Sequence, residues 1–468
     1  METYPKLLCL TAIALCASTL GLAQPLAIKG ELILSDPFQG SLEKKTLVEL
    51  KDGWQRRVSF GDWAVKEDGS VTAVNIPEDG HGPVLTLIAP VKDIVIECEF
   101  QIPSSPQKDR HFRIFLDHLD YAGHTIQSTA NLSSTFRPVG LTLQHISKER
   151  NAQKTLIKDI EFGPKEIELK PNTWYTMRLD VVGDKAWTRV NGVTLYGRNP
   201  VLDVEKSKIG LNPGMAGGTI RNVRAWTVSA ENEDAGVAEA LEEINDRFEN
   251  VAVRAIEWPE ATRTAFGSLK RVAFVASPVE QPSGKLPLLI ALHGAGGKNM
   301  SLRDQLIRSA RTKGLALAEK AGMDFILLEP NSSDSWDPDT LDRMLDYTLE
   351  TYDYLDAERV YVMGHSMGGS GTWNWIRQSP GRFAAAAPCG FSSGASTDGI
   401  EALVGLPVWG MVGGDDGNNV ASIQAMVDNL RAAGNESVRH TAFPGAKHSQ
   451  GNAAVFSSVD LVEWMLGQ

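Results

Sequence analysis

The sequence predicts two domains in series: an all-β sandwich or jelly roll, then a doubly wound α/β domain with a mostly parallel sheet. Three observations predict it. Over residues 24–230 apolar and polar side chains alternate with period two, and helical spacing is nearly absent. From about residue 251, short continuous apolar runs alternate with stretches of helical spacing, the pattern of strands covered on both faces and joined by helices. And 468 residues exceed what one hydrophobic core organises.

The first element is a leader. Lys6 precedes an apolar run over 7–22, and Gly21-Leu22-Ala23 supplies small residues before Gln24. That pattern predicts a secretory signal peptide over 1–23 and a secreted or periplasmic product, with no stable membrane insertion after cleavage. The run is short for a membrane span, and no later segment is long and apolar enough for one. Cys16 follows Leu15, which is not the small residue of a lipoprotein site. Cys98 and Cys389 remain after cleavage, one per domain, and read as packed apolar side chains. A formal charge of -12 with no basic block makes nucleic acid and anionic membrane surfaces poor partners, and none is expected.

Within 24–230, residues 94–102 place apolar side chains at every even position, a strand with one face in a core. Residues 112–116 are a second strand; Tyr175, Met177, Leu179 and Val181 line one face of a third. Asn191-Gly192 between two β-rich runs predicts a tight hairpin. Residues 220–228 form the last strand. Trp54, Trp63, Trp174, Trp187 and Trp226 could stack on sugar rings, although packing is the commoner role. His111, Asp117, His118, Asp120 and His124 fit no metal signature and read as polar strand and loop residues, so no metal is assigned. Residues 231–250 then place Val237, Leu241, Ile244 and Phe248 at helical spacing, a connecting helix rather than a flexible tether.

In 251–468, strands are expected at 286–292, 325–328 and 360–363, and helices at 302–321, 338–352, 368–378 and 420–433. Gly364-His365-Ser366-Met367-Gly368 matches G-x-S-x-G. Alone the motif is weak; a strand at 359–363 before it and helix-forming residues after it give it the context of a nucleophile elbow. Ser366 is therefore the candidate nucleophile. A serine hydroxyl needs a base. His365 is adjacent in sequence and cannot easily reach the hydroxyl, and His440 lies within a strand. His448, on a loop after the last strand and before the last helix, is the candidate base. Between serine and base, the strand at 407–412 ends in Gly413-Gly414-Asp415-Asp416. One aspartate would orient the histidine, and Asp416 is favoured over Asp415. The loop His293-Gly294-Ala295-Gly296-Gly297 follows a strand and suits a second oxyanion donor; the donors would be the backbone N–H groups of Ala295 and Met367. No cofactor is expected.

These residues resemble a secreted esterase/peptidase group of the α/β-hydrolase superfamily, which includes feruloyl-esterase-like, polyhydroxybutyrate-depolymerase-like and prolyl-oligopeptidase-like hydrolases. The resemblance covers about 286–466 and rests on residues 292–297, 359–373, 383–390 and 443–448. The group usually has His-Gly just ahead of its acid, whereas here Val412-Gly413 stands there; the acid follows that glycine by three residues, which points to Asp416. The N-terminal half resembles the concanavalin-like jelly roll of the 3-keto-disaccharide hydrolase family, through Asn172-Thr173-Trp174-Tyr175, Asn191-Gly192 and residues 217–223. Such jelly rolls often bind carbohydrate. The resemblance implies an exported serine hydrolase of carboxylic esters, acting on a small-molecule or polysaccharide ester. The alternatives are a serine peptidase of prolyl-oligopeptidase type, since ester and amide transfer share the triad's steps, and a non-catalytic carbohydrate-binding protein.

Overall fold

Alternation in the N-terminal half becomes two antiparallel sheets facing one another. The computed structural model describes residues 24–119, 123–133, 139–147, 157–280, 284–322 and 324–468. The expected leader 1–23 and Asp120 lie outside the described residues. The chain divides into two compact units, one ending at Glu239 and the other running from Ala240 to Gln468.

In the first unit, the strand Ile94–Gln101 sits between Trp174–Val182 and Gly218–Glu231 in an eight-stranded sheet. Its even residues Ile94, Ile96, Cys98 and Phe100 are fully buried. The second eight-stranded sheet carries Arg110–His118 between His124–Ser133 and Lys206–Asn212. Phe112, Ile114 and Leu116 face the same core, and Phe112 stacks on Phe100 with ring centroids 4.5 Å apart. The expected hairpin joins Lys185–Val190 to Val193–Arg198, with Asn191 at φ 48° and Gly192 at φ 82°, the left-handed pair that a two-residue hairpin requires. Trp54, Trp63 and Trp187 are buried, while Arg221 lies 4.1 Å from the Trp174 ring and Lys29 3.7 Å from that of Trp226.

Of the histidine–aspartate cluster, His111 bonds Asp109 at 2.7 Å and Asn212 at 2.8 Å, and His124 bonds Asp117 at 2.6 Å. These are polar groups satisfied by their strand neighbours. Among the described residues one ion pair is fully enclosed: Arg56 Nη1 donates to Asp36 Oδ1 at 2.7 Å, with side chains 1% and 0% exposed. The same oxygen accepts the Phe38 N–H at 2.8 Å, and Arg56 Nη2 donates to the Gln39 carbonyl at 2.6 Å.

The helix Val237–Arg247 contains the boundary between the units. It buries Val237, Ala240 and Ile244, whereas Leu241, expected on that face, is half-exposed.

The second unit has a six-stranded sheet in the order Val251–Glu257, Val272–Pro278, Ile326–Glu329, Leu286–Leu292, Leu355–His365, Ala385–Cys389. The first two junctions are antiparallel and the rest parallel. Trp409–Gly413 and Arg439–Phe443 continue as a parallel pair, tied to the last of those strands by the Gly390 N–H on the Met411 carbonyl at 2.9 Å. All seven residues of Leu286–Leu292 are buried, as the continuous apolar run requires. The helix expected over 302–321 is two helices, Leu302–Thr312 and Gly314–Ala321. Lys313, at φ -131° and ψ -147°, leaves the helical path. Ser309 Oγ accepts the Leu315 N–H at 3.0 Å, and a Cβ on Gly314 would strike the Glu329 carboxylate. The chain bends here around Glu329, which periodicity does not reveal. Both cysteines are buried, and burial pushes the Cys389 thiol up to about 12. Among the described residues no helix is long and apolar enough to cross a membrane.

Replacing Arg56 by Met leaves Asp36 buried without its cation. The first unit should lose about 3–5 kcal/mol, read from the urea midpoint of its unfolding. A loss below about 1 kcal/mol would show that the pair contributes no more than an exposed one.

Candidate active site

The strand Leu355–His365 ends at a turn that stands Ser366 at φ 64° and ψ -123°, and the helix Met367–Gln378 begins at the next residue. The Ser366 N–H donates to the Cys389 carbonyl at 3.0 Å, and its carbonyl accepts the Ser370 N–H at 2.9 Å. A Cβ on Gly364 would strike the backbone of Gly368, and one on Gly368 would strike the Leu292 carbonyl. Helix and strand approach too closely there for any side chain.

His448 Nε2 lies 3.0 Å from Ser366 Oγ, and its Nδ1 lies 2.8 Å from Asp416 Oδ2 and 3.0 Å from Oδ1. This network assigns the proton to Nδ1, leaving Nε2 to accept from the serine hydroxyl. The Asp416 side chain is 7% exposed and that of His448 47%. Asp415 is exposed; its N–H donates to the Ala446 carbonyl at 2.9 Å. Of the two aspartates, the one brought to the histidine is Asp416. The placement of His448 corrects the sequence reading. It is not on a loop but is the first residue of the helix His448–Val455, with another helix, Val459–Leu466, after it. The Gln450 side chain accepts the N–H of the cap residue Lys447 at 2.8 Å, so the helix begins at the histidine.

The loop after Leu286–Leu292 runs beside the nucleophile: a Cβ on Gly294 would come within 3.6 Å of Ser366 Cβ. Ala295 opens a short 3-10 turn, Ala295–Gly297, and Met367 opens the elbow helix. The first N–H groups of any helix lack partners within it. The loop is pinned by groups that sequence reading did not single out for that task. His293 Nδ1–H donates to the Gly294 carbonyl at 2.9 Å, and its Nε2 accepts the Ser332 N–H at 3.0 Å. Trp336 Nε1–H donates to the His293 carbonyl at 2.9 Å, and Gln305 to that of Gly297 at 3.0 Å. Burial pulls His293 down to about 4, so it stays a neutral strut.

Ser366, His448 and Ala295 line a pocket of about 360 Å³ whose other walls include Arg308, Lys313 and Glu329. None of these three was legible as a site residue. Glu329 accepts from Ser309 Oγ at 2.5 Å, and burial pushes its carboxyl up to about 7. His365, His448 and Asp416 are also the histidine and carboxylate group whose ligand-capable atoms converge within 4.8 Å among the described residues. Hydrogen bonds to Ser366 and Asp416 account for the His448 nitrogens.

No protein-family model matches this chain. Over 156 residues it is 30% identical to a bifunctional acetylxylan esterase/xylanase of Neocallimastix patriciarum, covering 31% of this chain. The chain spans about a fifth, 22%, of that relative's length. Among solved structures it is similar to a thermostable esterase, with TM-score 0.38, 16% identity, and coverage of 83% of this chain and 96% of that one. It is also similar to the S-formylglutathione hydrolase of Staphylococcus aureus, with TM-score 0.35, 19% identity, and coverage of 47% and 98%.

The pocket carboxyl has a consequence for stability. Glu329 holds its proton up to about 7 in the folded chain, against an ordinary value of 4.5. The folded state therefore binds more protons between those values. Its contribution is fully present below the ordinary value and is lost as pH rises through the folded one. Because Glu329 also faces the open pocket, the loss should be about 1–3 kcal/mol rather than the full linkage value. Glu329→Gln should flatten that slope in urea unfolding at about pH 5 and pH 8. Parallel pH profiles for the two proteins would sink the assignment.

Proposed function

We propose that this chain is an exported serine hydrolase that cleaves carboxylic esters, carbohydrate-linked ones in particular, through Ser366, His448 and Asp416. The observation that carries the reading is the continuous relay of 3.0 Å and 2.8 Å bonds from serine to histidine to buried carboxylate, opening on a pocket. The acetylxylan esterase/xylanase relative supports the ester and the carbohydrate.

In this mechanism Ser366 Oγ attacks the ester carbonyl carbon while His448 Nε2 takes the hydroxyl proton. Asp416 holds the ring in the required tautomer and stabilises the imidazolium. The N–H groups of Ala295 and Met367 receive the charge developing on the carbonyl oxygen. The tetrahedral intermediate collapses, the C–O bond to the alcohol breaks, and His448 returns its proton to the departing oxygen. Water then repeats the sequence on the acyl-serine, releasing the acid and restoring the hydroxyl.

The proposed division is a leader at 1–23, a jelly-roll domain at 24–230, a connecting helix at 231–250 and the catalytic domain at 251–468. The jelly-roll domain would hold the saccharide. Support comes from a groove of about 570 Å³ on the second sheet's outer face, lined by Arg57, Arg113, Phe115, Asp117, His124 and Lys208.

A fluorophosphonate probe should label the native chain at Ser366 and leave Ser366→Ala unlabelled with its unfolding unchanged. A probe mapped to a different serine would refute the nucleophile. Asp416→Asn should lower kcat by about 10⁴, because the histidine then sits in the wrong tautomer. Asp415→Asn should change it far less, and the reverse ranking would move the acid to Asp415.

A further inference from the structure

The pocket at Ser366 holds more charge than ester cleavage needs. Gln305, Arg308 and Ser309 lie on one face of Leu302–Thr312, and the bend at Lys313 swings a second cation into the same lining. Arg308 sits against the oxyanion loop: a Cβ on Gly296 would come within 3.3 Å of its Nη1. That Nη1 donates to the Met300 sulfur at 3.5 Å, a weak acceptor for a guanidinium. Lys313 Nζ lies 5.2 Å from the centre of the Phe456 ring. Among the described residues, neither cation has a carboxylate at ion-pair distance.

One carboxyl group does share the lining. Glu329 is bonded to Ser309 Oγ and to the Gly314 N–H. Those donors hold it where it is, and its burial favours the uncharged form. Lys313 is pulled down to about 8, first by burial and then by the Arg308 charge. Two like charges brought together in a half-closed site repel each other until an anion joins them.

We propose that Arg308 and Lys313 select an ester bearing a carboxylate, which they bind while its carbonyl lies between Ser366 and the Ala295 loop. This deepens the hydrolase reading and rests on it. Arg308 and Lys313 take no part in bond-making. They recognise an anionic group a short distance from the scissile bond, on either the acyl or the alcohol side.

Two matched pairs of esters test it. The acyl side is probed by p-nitrophenyl hydrogen glutarate against p-nitrophenyl butyrate, and the alcohol side by O-acetyl galacturonic acid against O-acetyl galactose. In one pair, kcat/KM should favour the carboxylate ester by about tenfold or more, the scale of one charge-assisted hydrogen bond. The pair that shows the preference identifies the side. The native preference should shrink as ionic strength rises from about 0.05 M to 0.5 M. Arg308→Gln and Lys313→Gln should each reduce the ratio, Arg308→Lys should keep most of it, and Arg308→Glu should reverse it. The proposal is overturned if Ser366 is labelled by fluorophosphonate and neutral esters turn over, yet neither pair shows a preference or the preference ignores salt. If Ser366 is not labelled and no ester turns over, the hydrolase reading itself has failed and this inference falls with it. The salt arm uses the native chain, so it decides the matter even where a variant does not fold.

Discussion

Everything at the site depends on one unfavourable turn. Ser366 occupies φ 64° and ψ -123°, a conformation that costs an L-residue on the order of 1–3 kcal/mol. It persists because the strand before it is clamped between Leu286–Leu292 and Ala385–Cys389, and because the helix after it is pressed onto the ends of those strands. The side chains absent from Gly364 and Gly368 are what allow that approach. The turn lifts the hydroxyl off the sheet edge and places the opening of a helix beside it, so a backbone constraint becomes a chemical position.

Parallel pairing extends this to the other site groups. Leu292 lies beside Gly364, His365 beside Cys389, and Gly413 beside Phe443. Parallel strands deliver their carboxyl ends to one edge, where ligands of open α/β sheets bind. The loop of Ala295, the turn of Ser366, Asp416 and His448 each begin at such an end. Residues 153 positions apart, such as Ala295 and His448, therefore line one pocket without any direct bond between them.

How much of this the sequence reveals follows from the range over which each feature is encoded. The elbow is local: five consecutive residues between a strand run and a helix run carry it, and Ser366 was legible for that reason. The strands Ile94–Gln101 and Leu286–Leu292 were legible because one face, or both, is apolar throughout. Asp416 was harder. It and Asp415 are the same residue type side by side, and what separates them is the path of the 413–416 turn against Ala446. The bend at Lys313 was invisible, because residues 302–321 keep helical spacing across it and the cause, Glu329, lies on another strand. The start of the helix at His448 was missed because lysine is not a common cap residue; the capping comes from Gln450, three residues on. Arg308 and Lys313 look like ordinary surface cations on a helix, and only the bend turns them into the pocket.

His365 shows how the fold keeps the relay's electrostatics simple. Its ring is fully buried, 4.8 Å from that of His448, and neither nitrogen has a hydrogen-bond partner among the described residues. In the proposed mechanism a charged imidazole in that place would oppose the reaction, because His448 would itself become a cation on taking the serine proton. Burial first, and then the His448 charge, pull His365 down to about 3. It therefore remains neutral beside His448 at ordinary pH. A Cβ at Gly390 would strike this ring, so a further glycine preserves the space that a neutral histidine fills. In the proposed relay the Asp416 carboxylate, bonded to His448 Nδ1 at 2.8 Å, would stabilise the imidazolium.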